Sequence, residues 1–351
     1  MSNQFRDLLK KVGSGSHTSK SLSREQAALA TRMMLHQEAT PAQIGAFLIA
    51  HRMKRPTIEE LAGMLDAYAE VGPTVDAITT PVTILGCPYD GRSRTVPVTV
   101  ITTLILAAAG RPVLLHGGTR MPTKEGIPLV KIWHALGLEL DQLSLAQVKA
   151  ALATNRLGFL YLPHHFPEAE TLVPYRRQIG KRPPIATLEL MWSPYAGSCS
   201  TVVGYVHPPT ENFARGTFAL RGMGSLTTVK GMEGSCDLPR SRTAIVGIEQ
   251  PNGNFERMLL HPRDYGFDGE EVALESDAQA TALIIRTIQG ETGQLMDTAI
   301  WNGGFYLWHS GLCNSIESGI TLAEKMLKAG QVSAHVDNIR HYLEQSIRVS
   351  Q

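Results

Sequence analysis

From residue 82 onward, short β-branched runs alternate with helical stretches, and that alternation restricts the chain to one broad architecture. The runs fall at 82–85, 113–115, 159–162, 201–206, 226–230 and 243–248. Strands that return to one sheet through crossover helices pair in parallel, so the pattern predicts an α/β fold with a mostly parallel central sheet and flanking helices. Ahead of it the signals are helical. Ser23 with Gln26 reads as a capping box, Thr40-Pro41 as a helix start, and a third helix opens near Thr57. These define a smaller, all-helical N-terminal subdomain over 1–72, closed by Gly72-Pro73, with the α/β domain over 73–351. Helical patterns return at 273–289, 294–310, 316–329 and 332–347, with Gly290, Gly311 and Gly330 as stops.

Composition narrows the class. With 351 residues the chain can bury a large core without disulfides, and its four cysteines form no C-x-x-C pair, which argues against a zinc knuckle. The compartment expected is cytoplasmic. The longest apolar run, 98–109, is far short of the roughly 20 residues of a membrane span, and the start lacks an apolar signal core, so residue 1 is expected to belong to the fold. Basic and acidic residues nearly cancel, 33 against 32, but residues 1–55 carry nine basic and three acidic side chains. That front, with Lys10 and Lys11, reads either as a solvated helix surface or as a polyanion-binding face.

Chemistry is expected at the strand ends. The first strand runs into Gly86-Cys-Pro-Tyr-Asp-Gly-Arg-Ser-Arg-Thr95. A loop between a strand and a helix start suits an anion, with Arg92 and Arg94 adding charge; a plain structural turn is the alternative. The second strand ends in Leu115-His-Gly-Gly-Thr-Arg120, placing His116 and Arg120 at the same sheet edge. Arg176, Arg177, Lys181 and Arg182 crowd seven residues, and Glu233 and Asp237 follow a strand at a spacing that could hold magnesium. Trp301, Phe305 and Trp308 have the helical spacing of core residues. No G-x-S-x-G elbow, Walker loop or H-E-x-x-H is present.

Taken in order, these segments resemble the anthranilate phosphoribosyltransferase family of nucleoside-phosphorylase-like glycosyltransferases over almost the full length. Gln43-Ile-Gly-Ala-Phe-Leu-Ile-Ala-His-Arg-Met-Lys54 and Glu60-Leu-Ala-Gly-Met64 are similar to the family's helical motifs. Gly86 to Thr95 falls where it has G-T-G-G-D-G-x-x-T, and Leu115-His-Gly117 where it has K-H-G-N-R. Val173-Pro-Tyr-Arg176, Ile179-Gly-Lys-Arg182, Asp264-Tyr-Gly-Phe267, Gly290-Glu291 and Ile300-Trp-Asn302 also match. The resemblance implies a phosphoribosyl pyrophosphate site with magnesium. On it, Gly86, Asp90 and Gly91 would be phosphate-loop residues, His116 and Gly117 would approach both substrates, Arg176 would face the acceptor, and Glu233 and Asp237 would fall in the metal segment; by charge and position Arg92, Arg94 and Arg120 join the phosphate or polyanion site and Arg182 the acceptor site.

The departures alter what the resemblance implies. The family's central Gly-Gly is Pro88-Tyr89, its Lys before His-Gly is Leu115, its acidic metal pair is Cys236-Asp237, and its L-G-P acceptor wall is Leu188-Glu-Leu190. Such changes resemble a divergent, YbiB-like branch whose members are homodimers that bind nucleic acid. The first expectation is therefore a homodimer, joined through residues 1–72, with degraded donor and acceptor sites, outside tryptophan synthesis, binding single-stranded nucleic acid through Lys10, Lys11 and the cleft arginines. The alternative is a magnesium-dependent phosphoribosyl or pentosyl transferase acting on anthranilate or another aromatic acceptor. A third is a regulatory paralogue that binds only protein.

Overall fold

In a computed structural model, residues 3–15, 17–249 and 253–348 are described. The helical beginning follows from local signals. Ser23, Thr40 and Thr57 each accept from the backbone N–H three residues on, while Gln26, Gln43 and Glu60 reach back to the cap. These reciprocal caps start the helices Arg24–Leu35, Pro41–Lys54 and Ile58–Val71. The amphipathic helix Asn3–Val12 adds Phe5, Leu8 and Val12 to their shared core, with the Phe5 and Phe47 rings 5.3 Å apart.

The larger unit is built on a seven-stranded sheet. Its strands are β1 (Val82–Gly86), β2 (Val113–Gly117), β3 (Leu157–Tyr161), β4 (Cys199–Gly204), β5 (Ser225–Val229), β6 (Ala244–Glu249) and β7 (Phe255–Leu260). They lie in the order β3-β2-β1-β4-β5-β6-β7. The first five pair in parallel, and β6 and β7 close one edge in antiparallel register. The α/β class with a helical N-terminal subdomain is thus as the sequence predicted. The strand β7 had no forecast, and the chain between β3 and β4 forms four short helices, from Leu162–His165 to Ile185–Met191.

Those inserted helices pack toward the helical subdomain. Phe166 meets Tyr68 edge-on at 5.2 Å and Trp192 at 5.3 Å, and Trp192 lies 5.0 Å from the His116 ring at the end of β2. An aromatic seam therefore joins the subdomains directly behind the strand ends. On the other side of β1, the mostly apolar helix Thr99–Ala108 is buried, its three threonines included, beneath the C-terminal helices. The helix Gln294–His309 clamps the segment after β5: Asn302 accepts from the Leu238 N–H at 2.7 Å, and the Tyr306 hydroxyl donates to the Cys236 carbonyl at 2.6 Å. Trp301 and Phe305 are fully buried, as their spacing predicted, whereas Trp308, expected beside them in the core, is only half-buried.

Candidate active site

The strand order reverses at β1, because β2 and β3 lie on one side of it and β4 and β5 on the other. Such a switch leaves a crevice beyond the carboxyl ends of the strands, which is where α/β sheets commonly bind ligands. The loops after β1, β2 and β5 all open there. Gly86 ends β1 for a packing reason, since a Cβ on it would sit 2.0 Å from the Leu190 carbonyl oxygen. This close approach of two backbones requires glycine here whatever the loop binds. Gly91, at φ +71°, makes the turn that lets the loop bridge to Ile127, whose N–H donates to the Arg92 carbonyl at 2.9 Å.

Asp90 sits at the centre. It is 1% exposed, and neither carboxylate oxygen has a hydrogen-bond partner among the described residues. Three cations surround it: Lys124 at 3.6 Å, Arg176 at 3.6 Å and Arg182 at 3.9 Å. Arg176 Nε and Nη2 and Arg182 Nη2 are likewise buried without a hydrogen-bond partner. Buried polar atoms are ordinarily satisfied, and a charged cluster with this many open positions is a place where a polar ligand gains bonds that the apo protein lacks. Lys124 stands close behind Arg120 in the basic loop after β2, at the sheet edge where the sequence places a ligand cleft.

Two further contacts shape the crevice. Arg176 Nη1 donates to Glu189 Oε1 at 2.5 Å, and the Tyr89 N–H donates to Glu189 Oε2 at 3.1 Å. Burial pushes the Glu189 carboxyl above the usual range, opposed by Arg176 and Arg182. Tyr89 and His116 form a neutral pair. His116 Nε2–H faces the Trp192 carbonyl at 3.0 Å, so Nδ1 is left to accept from the Tyr89 hydroxyl at 2.5 Å. Burial lowers His116 to about 4 and raises Tyr89, consistent with both remaining uncharged. Gly117, at the end of β2, lines the same cleft with Cys87, Tyr89 and Ser235.

Glu233 and Asp237 meet as expected, but around an internal cation. Arg92 is 4% exposed; its Nε lies 3.3 Å from Glu233 Oε1, and its Nη1 donates to Asp237 Oδ2 at 2.6 Å and to Ser235 at 3.1 Å. Glu233 also accepts the backbone N–H groups of Ser93, Arg94 and Thr95, each at 3.1 Å. Burial works to raise its pKa, yet the Ser93 N–H, Arg92 and the Arg94 N–H bring it down to about 2. Asp237 accepts from the Val98 N–H at 3.1 Å and the Thr99 hydroxyl at 2.7 Å. Every carboxylate oxygen is already engaged by protein donors. No group of three metal-ligating side chains exists among the described residues, so this pair does not fit a directly bound magnesium ion.

The other sequence-derived candidates lie apart. Arg94 does not join Arg92: its side chain is 79% exposed and reaches Glu233 only at 3.8 Å. Arg120 turns outward to Asp277 and the Glu125 carbonyl. Lys10 pairs with Asp7 at 3.5 Å, and Lys11 donates to Gln26 at 2.7 Å, both within the helical subdomain. Neither enters the Asp90 cluster. All four cysteines are free, and no helix among the described residues is long and apolar enough to cross a membrane.

A crevice of this kind, set between a helical bundle and the switch point of a parallel sheet, defines a class of two-domain transferases. Residues 6–72 match the helical bundle domain of the glycosyl transferase family, and residues 90–333 match its a/b domain. The chain belongs to this glycosyl transferase family. It is 29% identical over 346 residues to the anthranilate phosphoribosyltransferase of Azorhizobium caulinodans, covering 96% of each protein, and 28% identical over 319 residues to that of Xanthomonas oryzae, covering 90% and 91%. The fold superposes on anthranilate phosphoribosyltransferase of Thermus thermophilus with a TM-score of 0.78 at 21% identity, covering 96% of this chain and 99% of that one. For the Saccharomyces cerevisiae enzyme in complex with phosphoribosyl pyrophosphate and magnesium, the TM-score is 0.83 at 17% identity, with 98% and 99% covered.

These matches correct the first expectation. Both domains of the family are intact, and the likeness runs the length of the catalytic fold, including a ligand-bound example. A degraded protein serving only to bind nucleic acid is not what they describe. The alternative expectation, a transferase, is the one they support.

Proposed function

We propose that the chain is a glycosyltransferase that takes a phosphorylated ribosyl donor, phosphoribosyl pyrophosphate or a close analogue, and passes its pentosyl group to an aromatic acceptor. The observation that carries this reading is the buried, unbonded Asp90 carboxylate with Lys124, Arg176 and Arg182 around it. Transfer from the anomeric carbon develops positive charge on the sugar and negative charge on the departing diphosphate. A preorganised carboxylate beside three fixed cations answers both charges, with little reorganisation during the reaction. The neutral Tyr89–His116 pair and the aromatic seam behind it exclude water from that face.

The acceptor side is remodelled. The Arg176 guanidinium that would meet an acceptor carboxylate already has Glu189 as its counter-ion. This favours aromatic acceptors without a carboxylate over anthranilate, and on this reading Pro88, Tyr89 and Glu189 mark a branch of the family with altered acceptor choice. Magnesium, present with phosphoribosyl pyrophosphate in the yeast structure, enters only as the donor's own counter-ion. A homodimer through the helical subdomain is part of the proposal: Met53 on the helix Pro41–Lys54 is 77% exposed, and sedimentation velocity of the wild type and Met53→Glu tests it.

Calorimetric titration with phosphoribosyl pyrophosphate tests the donor site. Saturable binding, weakened roughly tenfold or more by Arg182→Ala through loss of a charge-assisted contact, is expected. Absence of binding at millimolar donor would overturn the reading.

A further inference from the structure

We infer that Arg92 is the built-in cation of the Glu233–Asp237 site, standing where a divalent metal ion would otherwise be held, so that these carboxylates work without one. Three independent features of the site point to this. The first is geometric: Arg92 Nη1 lies 2.6 Å from Asp237 Oδ2 while its Nε lies 3.3 Å from Glu233 Oε1, so one planar group spans both carboxylates. A magnesium ion needs oxygen ligands close to 2.1 Å in octahedral array, and the guanidinium fills the position from which it would bind both.

The second is saturation. Glu233 Oε1 accepts from Arg92, the Arg94 N–H, the Thr95 N–H and the Thr95 hydroxyl, and Oε2 from the Ser93 N–H and hydroxyl. Asp237 Oδ1 takes the Thr99 hydroxyl and Oδ2 the Val98 N–H. Those backbone donors hold both carboxylates fixed around the guanidinium, which alone bridges them. The third is tethering. Arg92 is itself held by Ser235 and Thr95, and its backbone is pinned by the Ile127 N–H. Swinging it out would leave two buried carboxylates with only the exposed Arg94, 3.8 Å from Glu233, as a counter-charge, which is strongly unfavourable.

The consequence is a site whose positive charge is encoded in the chain. Remove the guanidinium, and the two carboxylates become an acidic pair open to a divalent ion. The test is Mn2+ binding to the full-length protein at neutral pH, followed by electron paramagnetic resonance and calorimetry. It reads the metal directly and does not depend on any transferase activity. Wild-type protein is expected to show no Mn2+ site that depends on Asp237. Arg92→Ala and Arg92→Gln are each expected to gain one Mn2+ per chain, at least about tenfold tighter than any wild-type binding, and to lose it on adding Asp237→Asn. Arg92→Lys, which restores a cation, is expected to exclude Mn2+ again. Saturable Mn2+ binding by the wild type that disappears in Asp237→Asn would overturn the inference. So would a folded Arg92→Ala or Arg92→Gln protein that gains no metal.

Discussion

Arg176 and Glu189 lie 2.5 Å apart, each about 95% buried, on neighbouring helices of the insertion between β3 and β4. The pair places an acceptor-facing cation and its own anion in the same crevice. Replacing Glu189 by Gln keeps the shape and removes the charge, so Arg176 loses its nearer counter-ion, keeps only Asp90 at 3.6 Å, and can pair more strongly with a ligand carboxylate. Glu189→Gln is expected to bind anthranilate about tenfold or more tightly than the wild type, the scale of one charge-assisted contact. Titration calorimetry checks this, and unchanged anthranilate affinity would show that Glu189 does not set acceptor choice.

The Tyr89 hydroxyl is the donor that satisfies His116 Nδ1. Tyr89→Phe leaves that buried nitrogen without a partner, at a cost of about 1–3 kcal/mol. Urea denaturation, read as a lower midpoint with the same slope, measures it. A midpoint equal to the wild type would mean the pair contributes nothing to stability.

Acid sensitivity has a defined order. His116 and His309 are brought by burial from 6.5 down to about 4. The unfolded chain therefore takes up protons that these folded sites refuse, and stability is expected to fall as pH drops from about 6.5 toward 4. Burial opposes ionisation of Glu60 and Glu233. At Glu60, His51, Lys54 and the Leu22 N–H overcome burial, and at Glu233 the Ser93 N–H and Arg92 do, each bringing the carboxyl from 4.5 to about 2. Their stabilisation is present above pH 4.5 and is lost as pH falls through 2. Denaturation midpoints at pH 7.5, 5.5 and 4.5 are expected to decline at each step, and His309→Asn is expected to flatten the first step.

Gly86 distinguishes packing from ligand binding. A methyl group at this position collides with the Leu190 carbonyl, so Gly86→Ala is expected to destabilise the fold by about 1–3 kcal/mol, as overpacking does. The same loss of stability is expected with and without phosphoribosyl pyrophosphate. A variant of native stability with impaired donor binding would show that Gly86 serves the donor and not the packing.

What was legible in the sequence is what depends on near neighbours. The caps at Ser23, Thr40 and Thr57 need only the residue three positions on, and β1 to β6 each announce themselves by short apolar runs with β-branched or aromatic residues. The strand β7 carries Glu256 and Arg257 on a half-exposed edge, so it lacks that signature. The four helices between β3 and β4 are only four to seven residues long, too short to show a helical period. The site divides the same way. Asp90 and His116 could be found because they lie just beyond or at the end of a strand, but the role of Arg92 rests on partners 141 and 145 residues away. Arg94, two positions along, faces solvent instead, a distinction that no local pattern contains.

On the proposed function, the crevice around Asp90 transfers a ribosyl group. The most direct test is pyrophosphate release from phosphoribosyl pyrophosphate by the wild-type protein, measured against a panel of aromatic amines with and without a carboxylate. Acceptor-dependent release, strongest with amines lacking a carboxylate and abolished by Asp90→Ala, is the expected result. Donor left intact with every acceptor, at protein concentrations sufficient for single turnover, would contradict it.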